Sequence, residues 1–545
     1  MTTNWNLAEI WEICAEERGD KTALVHGHSR RSWAEFDRRA ASVAGFLLDA
    51  GLEHQDKFAQ YLYNGHEYLE SVFASFKGGF VPVNTNYRYG DEELAYLWDN
   101  ADAAAVVFHG TFTERVARLR HKLPKVKVWL HVDDGEGACP DFAVSYEQVA
   151  GTLGTDDDTK VRGRHGLSGD DLYLLYTGGT TGMPKGVMWR QDDLFALFNA
   201  SSIIKHPVDR GLDGIRESVA ALSASPPVLL PACPLMHGTG SFTAFSALIL
   251  GGTVSTLVNH HFDPVELLET IEREGVNLVT LVGDAFGKPI LAALDAEPGK
   301  WDLSSVMGMI SSGVMWSEPT KHGLLGHNPN MILIDAFSSS EALGMGASVS
   351  ASGAEAHTAT FRLGEHARVI DDEGNELAPG SGEVGRLALG GRIPVGYYKD
   401  ADKTASTFVI LGGARFSVPG DYATVEADGT LKLLGRGSVC INTGGEKVYP
   451  EEVEEVLKTH AAVADAACVG IPDDRFGETI GAVVQLRAGP TVDASELFEH
   501  VKVHLAHYKA PRHVVFVSSL GRSPAGKLDY STLKELALRE VGAAE

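Results

Sequence analysis

The chain has 545 residues, of which 44% are hydrophobic and 22% are charged, and its formal net charge at pH 7 is −26. This length exceeds what one hydrophobic core normally serves, so we expect at least two domains. The acidic balance excludes nucleic acid and anionic membrane as main partners, since both require basic surface, but it permits a small anionic ligand.

The cysteines and the N-terminus predict a cytoplasmic location. The five cysteines are scattered along the chain and show no metal-ligand spacing, as expected of a reducing compartment. The first residues are acidic and amphipathic, and they lack the basic start and apolar core of a signal peptide. No apolar stretch approaches the roughly 20 residues that span a bilayer, so we expect no membrane span.

Strand patterns alternate with helical patterns in the early and middle parts of the chain. The clearest are strand, helix, strand, helix and strand at 56–64, 66–79, 80–86, 90–102 and 103–108, and strands at 171–176, 277–283 and 331–337. Glycine closes the helical pattern at residue 79, as is typical of a helix end. Strands alternating with helices predict doubly wound α/β subdomains with parallel sheets.

The pattern changes twice in the later part of the chain. From about Arg362, short alternating strands with tight Gly/Asp turns predict an antiparallel β subdomain. After Arg436 the segments read helix, strand, strand, helix, strand, which predicts a compact α+β unit. We therefore expect a large α/β N-terminal domain over residues 1–436, including the β subdomain, and a small mobile α+β C-terminal domain over residues 437–545.

A loop dense in Gly, Thr and Lys follows the strand predicted at 171–176, in the sequence YTGGTTGMPKGV at 176–187. Glycines let a backbone approach a polyanion and turn its N–H groups towards it, threonines add hydroxyl donors, and Lys185 adds positive charge. Pro184 precedes the lysine and Gly186 follows it, which excludes a Walker P-loop. The loop predicts another kind of phosphate site, with an ordinary surface loop as the alternative.

This loop resembles the phosphate-binding signature of the adenylate-forming enzymes, which include acyl-CoA synthetases, firefly luciferase and peptide-synthetase adenylation domains. Further segments resemble that superfamily in the same order, at 75–107, 234–240 (PLMHGTG), 335–341 (DAFSSSE), 382–408, 419–423 (PGDYA), 435–454 and 523–529 (SPAGKLD). The resemblance implies a ligase that uses ATP, Mg²⁺ and coenzyme A to make an acyl-adenylate and then a thioester. The pattern is most similar to actinobacterial fatty-acid–CoA ligases, including those for steroid side-chain acids.

The resemblance implies roles for residues at matching positions. Lys527 is the catalytic lysine that bridges acid and α-phosphate, Glu341 is the Mg²⁺ ligand, and Asp421 and Arg436 are the ribose contacts. Phe337 and Ser338 stand where the family usually has Tyr-Gly. The remaining ATP-binding positions are Thr177 (also catalytic), Gly178, Gly179, Thr180, Thr181, Gly182, Lys185, Ser312, Gly313, Asp335, Ala336, Phe337, Ser338 and Ser340. By pattern alone, other readings stay open: Phe337 as a core residue, Asp421 as a turn acid, Lys527 as a loop lysine and Glu341 as an acid that starts a helix.

The acyl and CoA sites follow from the same resemblance. His237 is a catalytic residue at the mouth of the acyl pocket, with a structural histidine as the open alternative. Phe242, Val314 and Met315 line that pocket, and Phe245 and Trp316 are further apolar candidates. Gly444, Gly445, Glu446 and Lys447 line the CoA tunnel. The hinge is Ser438, where the family usually has Asp or Lys.

Other functions stay open at this point. One is an acyl-AMP ligase that loads a carrier protein, and another is a catalytically dead nucleotide- or acyl-binding homologue. Lys185, Glu341, Asp421 and Lys527 are all present, which disfavours the dead homologue. We expect a hydrophobic acid as substrate, with fatty, steroidal and aryl acids in that order, and a homodimer is a candidate assembly.

Overall fold

The computed structural model divides the chain into two compact units. The larger unit comprises Met1–Leu343, Val349–Ala356 and Gly391–Phe408, and the smaller comprises Gly344–Ser348, His357–Gly390 and Val409–Glu545. The boundary expected between residues 436 and 437 stays a prediction. The structure describes residues 4–155, 157–177, 183–202, 204–222, 226–314, 316–353, 359–436, 439–443, 446–473, 477–489, 492–505, 507–523, 526 and 528–542.

Helices and strands alternate through most of the chain. The first are α1 (Leu7–Arg18), β1 (Thr22–His26), β2 (Ser29–Ser32), α2 (Trp33–Asp49), β3 (Lys57–Tyr61), α3 (His66–Gly78), β4 (Val81–Asn84), α4 (Asp91–Asn100), β5 (Ala103–His109), α5 (Thr113–Leu119), β6 (Val128–Val132), β7 (Val144–Ser145) and α6 (Tyr146–Ala150). Next come β8 (Leu172–Thr177), β9 (Lys185–Arg190), α7 (Gln191–Ser201), α8 (Gly211–Ala221), β10 (Val228–Pro231), α9 (Gly238–Leu248), β11 (Thr253–Thr256), α10 (Pro264–Glu274), β12 (Leu278–Leu281), α11 (Gly283–Ala296), β13 (Gly308–Ser312), α12 (Glu318–His327) and β14 (Ile332–Ser339).

Shorter strands follow, before the last helices. They are β15 (Ala342–Ser350), β16 (Thr360–Leu363), β17 (Ala367–Ile370), β18 (Gly385–Leu389), β19 (Gly396–Tyr397), α13 (Ala401–Thr407), β20 (Phe408–Leu411), β21 (Ala414–Ser417), β22 (Asp421–Val425) and β23 (Thr430–Arg436). The chain ends with β24 (Ile441–Thr443), β25 (Glu446–Val448), α14 (Pro450–Thr459), β26 (Val463–Asp473), β27 (Gly477–Leu486), α15 (Ala494–His504), β28 (His513–Val517) and α16 (Tyr530–Gly542).

The larger unit contains two mainly parallel sheets, as the strand–helix alternation predicts. One has the order β19-β9-β8-β4-β3-β5-β6-β7, in which β8 to β7 run parallel and β9 and β19 are antiparallel additions. The other has the order β2-β1-β11-β10-β12-β13-β14, parallel except for β2. Parallel neighbours require crossovers, which the helices supply and which cover the sheet faces. Loops at the carboxyl ends of parallel strands are where such folds place their sites.

Local sequence explains the helix bounds that matter for these sheets. Helix α10 begins after Asp263, whose side chain accepts hydrogen bonds from the Val265 and Glu266 N–H groups, and Pro264 occupies its first position. It ends at Gly275, which has a φ of 61° that favours glycine. The buried face of α10 packs Leu267 and Ile271 into a core cluster with β12 and α11. The same cluster includes residues of β13 and β14, the strands that carry predicted ATP-binding positions.

The smaller unit is antiparallel β followed by an α+β part. Strands β15-β16-β23-β22-β18-β21-β20 form the antiparallel part, with β17 on β18. The second part contains the sheet β25-β24-β27-β26, with β28 parallel to β27. The predicted fold class, a large α/β domain with a β subdomain and a small α+β domain, is confirmed. The described part of the chain contains no helix with both the length and the apolar character required to cross a membrane.

The last helix, α16, was missing from the prediction. Its residues Leu533 and Ala537 are buried in one cluster with Val469 and Ile471 of β26. The spacing of four between these two positions places them on one helical face, so the pattern was present in the sequence.

Candidate active site

The predicted phosphate loop connects two antiparallel strands in the larger unit. Strand β8 is buried as expected, and it pairs with β9 in a register that places Thr177 opposite Lys185. A Cβ on Gly186 would lie 2.7 Å from the Tyr176 ring, so close packing requires glycine there. The loop therefore begins at the carboxyl end of β8 and ends at the start of β9, with the half-buried Thr177 and Lys185 at its two ends. A strand–loop–strand hairpin also differs from the strand–loop–helix of a P-loop.

Lys185 makes an ion pair beside this loop. Its Nζ lies 2.7 Å from Asp400 Oδ2 and 5.9 Å from the centre of the Tyr397 ring. The hydrogen bond from Lys185 and the Lys403 N–H lower the pKa of Asp400 below its ordinary value. Both side chains are about one-third exposed, so a polyanion in the solvent can compete with Asp400 for the lysine.

Glu341 lies in the turn between β14 and β15, where it does not start a helix. Its Oε1 accepts a hydrogen bond from the Tyr397 hydroxyl at 2.8 Å. The preceding carbonyl, that of Ser340, accepts from Trp189 Nε1 at 3.0 Å. Tyr397 therefore contacts both Lys185 and Glu341, and the turn is held against β9. The arrangement presents a cation and a carboxylate next to the ends of the predicted phosphate loop.

Strands β13 and β14 place the next predicted residues side by side. Their parallel register pairs Ser312 with Ala336, and Gly313 follows with a φ of 95°. The carboxylate of Asp335 is buried, and its Oδ2 lies 3.4 Å from the buried Nζ of Lys321. Phe337 and Ser338, next along β14, are half-buried. The predicted ATP-binding residues of this region thus lie on or just after the paired strands β13 and β14. The Asp335 carboxylate faces Lys321 of α12.

The acyl-pocket candidates divide into turn residues and core residues. His237 is half-buried, precedes α9, and donates its N–H to the Pro234 carbonyl at 3.1 Å. Phe242 is buried with its ring centre 5.7 Å from that of Tyr173, and Phe245 is fully buried with its ring centre 5.5 Å from that of Trp11. Phe245 is thus a core residue. Val314 packs at the edge of a cluster that includes the buried Trp316.

In the smaller unit, the two predicted ribose contacts are neighbours. Asp421 begins β22 and is buried, and the antiparallel register pairs it with Arg436 at the end of β23. Backbone pairing thus places both residues at the same end of this hairpin. The side chain of Arg436 lies outside the described part of the structure.

Other predicted residues lie outside the described residues and stay predictions. They are Gly178, Gly179, Thr180, Thr181, Gly182, Met315, Ser438, Gly444, Gly445 and Lys527, and the side chains of Glu446 and Lys447. Among the described residues, no group of three or more His, Cys, Asp or Glu side chains forms a metal site. Proteins usually hold Mg²⁺ through one or two carboxylates together with substrate phosphates and water, and Glu341 is a carboxylate of this kind.

Sequence reasoning assigned no role to Tyr397, Asp400, Trp189 or Lys321. Tyr397 and Asp400 belong to the segment 382–408, which was matched to the family only as a whole. The aromatic and acidic residues of GYYKD were the signal, but only the fold shows that they reach Lys185 and Glu341.

Two known protein families match separate parts of the chain. The model for AMP-binding enzymes matches residues 11–398, and the model for the AMP-binding enzyme C-terminal domain matches residues 452–527. The chain is 39% identical to the medium/long-chain-fatty-acid–CoA/3-oxocholest-4-en-26-oate–CoA ligase of Mycolicibacterium smegmatis over 541 residues, covering 97% of this chain and 96% of the relative. It is also 39% identical to the 3-oxocholest-4-en-26-oate–CoA ligase of Rhodococcus rhodochrous, covering 97% and 95%.

Solved structures show the same fold. The anthranilate CoA ligase AuaEII in complex with anthranoyl-AMP superposes with a TM-score of 0.83 at 21% identity, covering 99% of both chains. MatB from Rhodopseudomonas palustris with bound ATP gives a TM-score of 0.78 at 24% identity, covering 98% of this chain and 99% of that one. The long family match and the 39% identical relatives establish that this chain belongs to the family of AMP-binding enzymes.

Proposed function

We propose that the chain is an AMP-forming carboxylic acid–CoA ligase that acts on a hydrophobic acid. The observation that carries this proposal is the joined arrangement of Lys185, Tyr397 and Glu341. It offers a cation for phosphate and a carboxylate for a metal at the ends of a Gly/Thr loop. The family match and the CoA-ligase names of the relatives support it.

In the first half-reaction, an oxygen of the acid attacks the α-phosphorus of ATP, and the bond to pyrophosphate breaks. Two anions must approach each other, so cations at the phosphates lower the barrier. Lys185 supplies one such charge when phosphate oxygens replace Asp400 as its partner. Lys527 supplies the second at the α-phosphate, and Asp421 with Arg436 orients the ribose. These roles rest on the positions of the residues in the family motifs.

Glu341 fits the role of a Mg²⁺ ligand. A carboxylate oxygen is a preferred ligand for this hard cation, and the Tyr397 hydroxyl contacts one of the two oxygens, which holds the group in one orientation. When bound, Mg²⁺ neutralises charge on the phosphate oxygens. The contribution of this chain is to fix the carboxylate before the ion and nucleotide arrive.

The apolar surroundings of the expected pocket support a hydrophobic substrate. Val314 borders a cluster that contains the buried Trp316 and Phe286, and Phe262 packs on Phe286 with ring centres 4.7 Å apart. Each buried CH₂ group of an acid contributes about 0.8 kcal/mol. The relatives are named for medium- and long-chain fatty acids and for a steroid side-chain acid. We therefore propose long-chain fatty or steroid side-chain acids as substrates.

In the second half-reaction, the CoA thiol attacks the acyl carbonyl and AMP leaves. We propose that residues 444–447 face CoA after a rotation about Ser438, as the sequence motifs indicate.

We also propose a cytoplasmic location. The described cysteines form no disulfides, as in a reducing compartment.

The test is product analysis with a panel of acids. The protein is incubated with ATP, Mg²⁺ and CoA and with medium-chain, long-chain, aryl and steroid side-chain acids, and thioesters are identified by mass. Acyl-CoA together with AMP is the expected result. Acyl-AMP without thioester would instead indicate a ligase that loads a carrier protein, and no product from any acid would contradict the proposed function.

A further inference from the structure

Asn84, the last residue of β4, is a buried asparagine whose amide contacts two other segments of the larger unit. Its Oδ1 accepts a hydrogen bond from the Tyr176 N–H at 2.6 Å, and its Nδ2 donates to the Tyr176 carbonyl at 2.8 Å. Nδ2 also donates to the Met236 carbonyl at 2.6 Å. Because the nitrogen faces two carbonyls and the oxygen faces an N–H, only one orientation of the amide satisfies all three bonds.

The two segments held by Asn84 lead directly into the candidate site. Strands β4 and β8 pair through Val83 and Leu174, and beyond this pair the Asn84 side chain provides the hydrogen bonds of a strand partner to Tyr176. Thr177 follows Tyr176 and starts the predicted phosphate loop. His237 follows Met236 at the predicted mouth of the acyl pocket. One side chain thus links the segment that leads into the predicted phosphate loop with the segment that leads into the predicted acyl pocket.

A second asparagine holds the His237 turn through two hydrogen bonds. Asn64, in the loop after β3, donates from Nδ2 to the Cys233 carbonyl at 3.2 Å, and its Oδ1 accepts from the Leu235 N–H at 2.8 Å. The His237 N–H closes the turn on the Pro234 carbonyl. Asn84 adds the connection from this turn to β8. Asn84 therefore couples any displacement of this turn to the start of the phosphate loop.

We infer that Asn84 is a positioning residue for acyl-adenylate formation. This inference rests on the proposed function. By fixing the His237 turn relative to β8, Asn84 sets the separation between the acid carboxylate and the α-phosphate before they react. Correct orientation of two reactants accounts for a large part of many rate enhancements, and a displacement of about 1 Å can cost about 100-fold. Neither reactant has to touch Asn84 for this effect.

The test compares Asn84→Asp with a matched variant, Asn328→Asp. Asn328 is a buried asparagine with the same kind of contacts: its Nδ2 donates to the carbonyls of Leu303 at 2.8 Å and Val306 at 3.0 Å, and its Oδ1 accepts from the Asn330 N–H at 3.1 Å. It lies before β14, at the opposite end of that strand from Glu341. Both changes keep an acceptor oxygen, remove the donors and place a charge beside two carbonyls. Alanine at each position gives a second, uncharged pair.

We expect the Asp and Ala variants at both positions to lower the melting temperature. Only the Asn84 variants should also lower kcat for acyl-adenylate formation, by about 100-fold. Their KM values for ATP and for the acid should stay within about 3-fold, because ground-state binding does not depend on the alignment. Equal kcat losses at positions 84 and 328 would show a merely structural role and overturn the inference. So would a raised KM with unchanged kcat.

Two further measurements address the route and separate this inference from the proposed function. The first is a double variant that combines Asn84→Ala with His237→Ala. Its fold-loss in kcat should be smaller than the product of the two single fold-losses, because both residues act through one turn. Amide hydrogen exchange needs no turnover: residues 176–177 and 235–238 should lose protection together in the Asn84 variants and keep it in the Asn328 variants. Loss of hydrogen-exchange protection in only one of these two segments would overturn the inference, even if no acid proves to be a substrate.

Discussion

The Tyr397 hydroxyl donates a hydrogen bond to Glu341 Oε1 at 2.8 Å, and the same tyrosine ring lies 5.9 Å from the Lys185 ammonium group. The two charged residues come from different sequence motifs and are 156 positions apart, and Tyr397 comes from a third motif. A hydrogen bond to an ionised carboxylate is stronger than one between neutral groups. This tyrosine therefore orients the carboxylate that the proposed function assigns to Mg²⁺.

Replacing Tyr397 by Phe should slow acyl-adenylate formation about 10-fold and raise the Mg²⁺ concentration needed for half-maximal rate. The hydroxyl contributes about 1.5–3 kcal/mol as a bond to a charged group, while the ring beside Lys185 is kept. The measurement is pyrophosphate release against Mg²⁺ concentration. Tyr398→Phe is the control, because its hydroxyl donates to Asp102 at 2.8 Å. In a Glu341→Ala background Tyr397→Phe should add nothing further, and a full additional loss would contradict this explanation.

Replacing Asp400 by Asn should tighten ATP binding about 2- to 5-fold. The ion pair with Lys185 is partly exposed, so its loss changes little energy, yet ATP no longer competes with a carboxylate for the lysine. Asn still accepts the Lys403 N–H at the start of α13. Calorimetry of ATP binding gives the affinity, and Asp402→Asn, an exposed acid of the same helix, is the control. Weaker binding in Asp400→Asn would mean that the aspartate helps to place Lys185.

Much of the fold follows from local patterns in the sequence. The strand predicted at 171–176 is β8, and the helix predicted at 66–79 is α3, ending at Gly79 in a left-handed conformation. Buried parallel strands are apolar throughout, and helices carry start and stop residues, so both leave a signal over a few neighbouring positions. Helix α16 left a weaker signal and was missed.

The contacts inside the site depend on long-range geometry instead. Glu341 was predicted from its motif, but its turn is held by Trp189, which donates to the Ser340 carbonyl 151 positions further along the sequence. In the sequence, Asn84 is one residue of the strand predicted at 80–86, and only the fold shows that it bonds to Tyr176 of β8 and to Met236 before His237. Such contacts join residues with no fixed spacing, so no local pattern contains them.

Replacing Glu454 by Gln should reduce the loss of thermal stability between pH 5 and pH 8. Burial raises the pKa of the Glu454 carboxyl from 4.5 to about 7, although Lys458 and Arg522 attract its charged form. The folded state then holds a proton that the unfolded chain releases, so this stability is complete below pH 4.5 and is lost as the pH rises through 7. At about 1.4 kcal/mol per pKa unit, this loss is on the order of 3 kcal/mol.

Glutamine cannot ionise and still accepts the Cys468 N–H, which lies 2.8 Å from Glu454 Oε1. Melting temperatures of both proteins across this pH range provide the measurement. Glu455→Gln is the control, since that carboxylate instead pairs with Lys458 at 2.6 Å. An unchanged pH profile in Glu454→Gln would show that another group dominates the titration.

Replacing Lys527 by Ala should slow acyl-adenylate formation about 100- to 1,000-fold and largely spare thioester formation from supplied acyl-AMP. Removal of one charge or donor from a transition state has this magnitude, and the lysine is proposed to act only while acid and α-phosphate approach. Each half-reaction is measured alone, the first by pyrophosphate release and the second by AMP release from acyl-AMP and CoA. Lys534→Ala is the control, because that lysine of α16 pairs with Glu478 at 3.1 Å. Equal losses in both half-reactions would contradict the assigned role, because a lysine confined to adenylation cannot affect a step that starts from the finished adenylate.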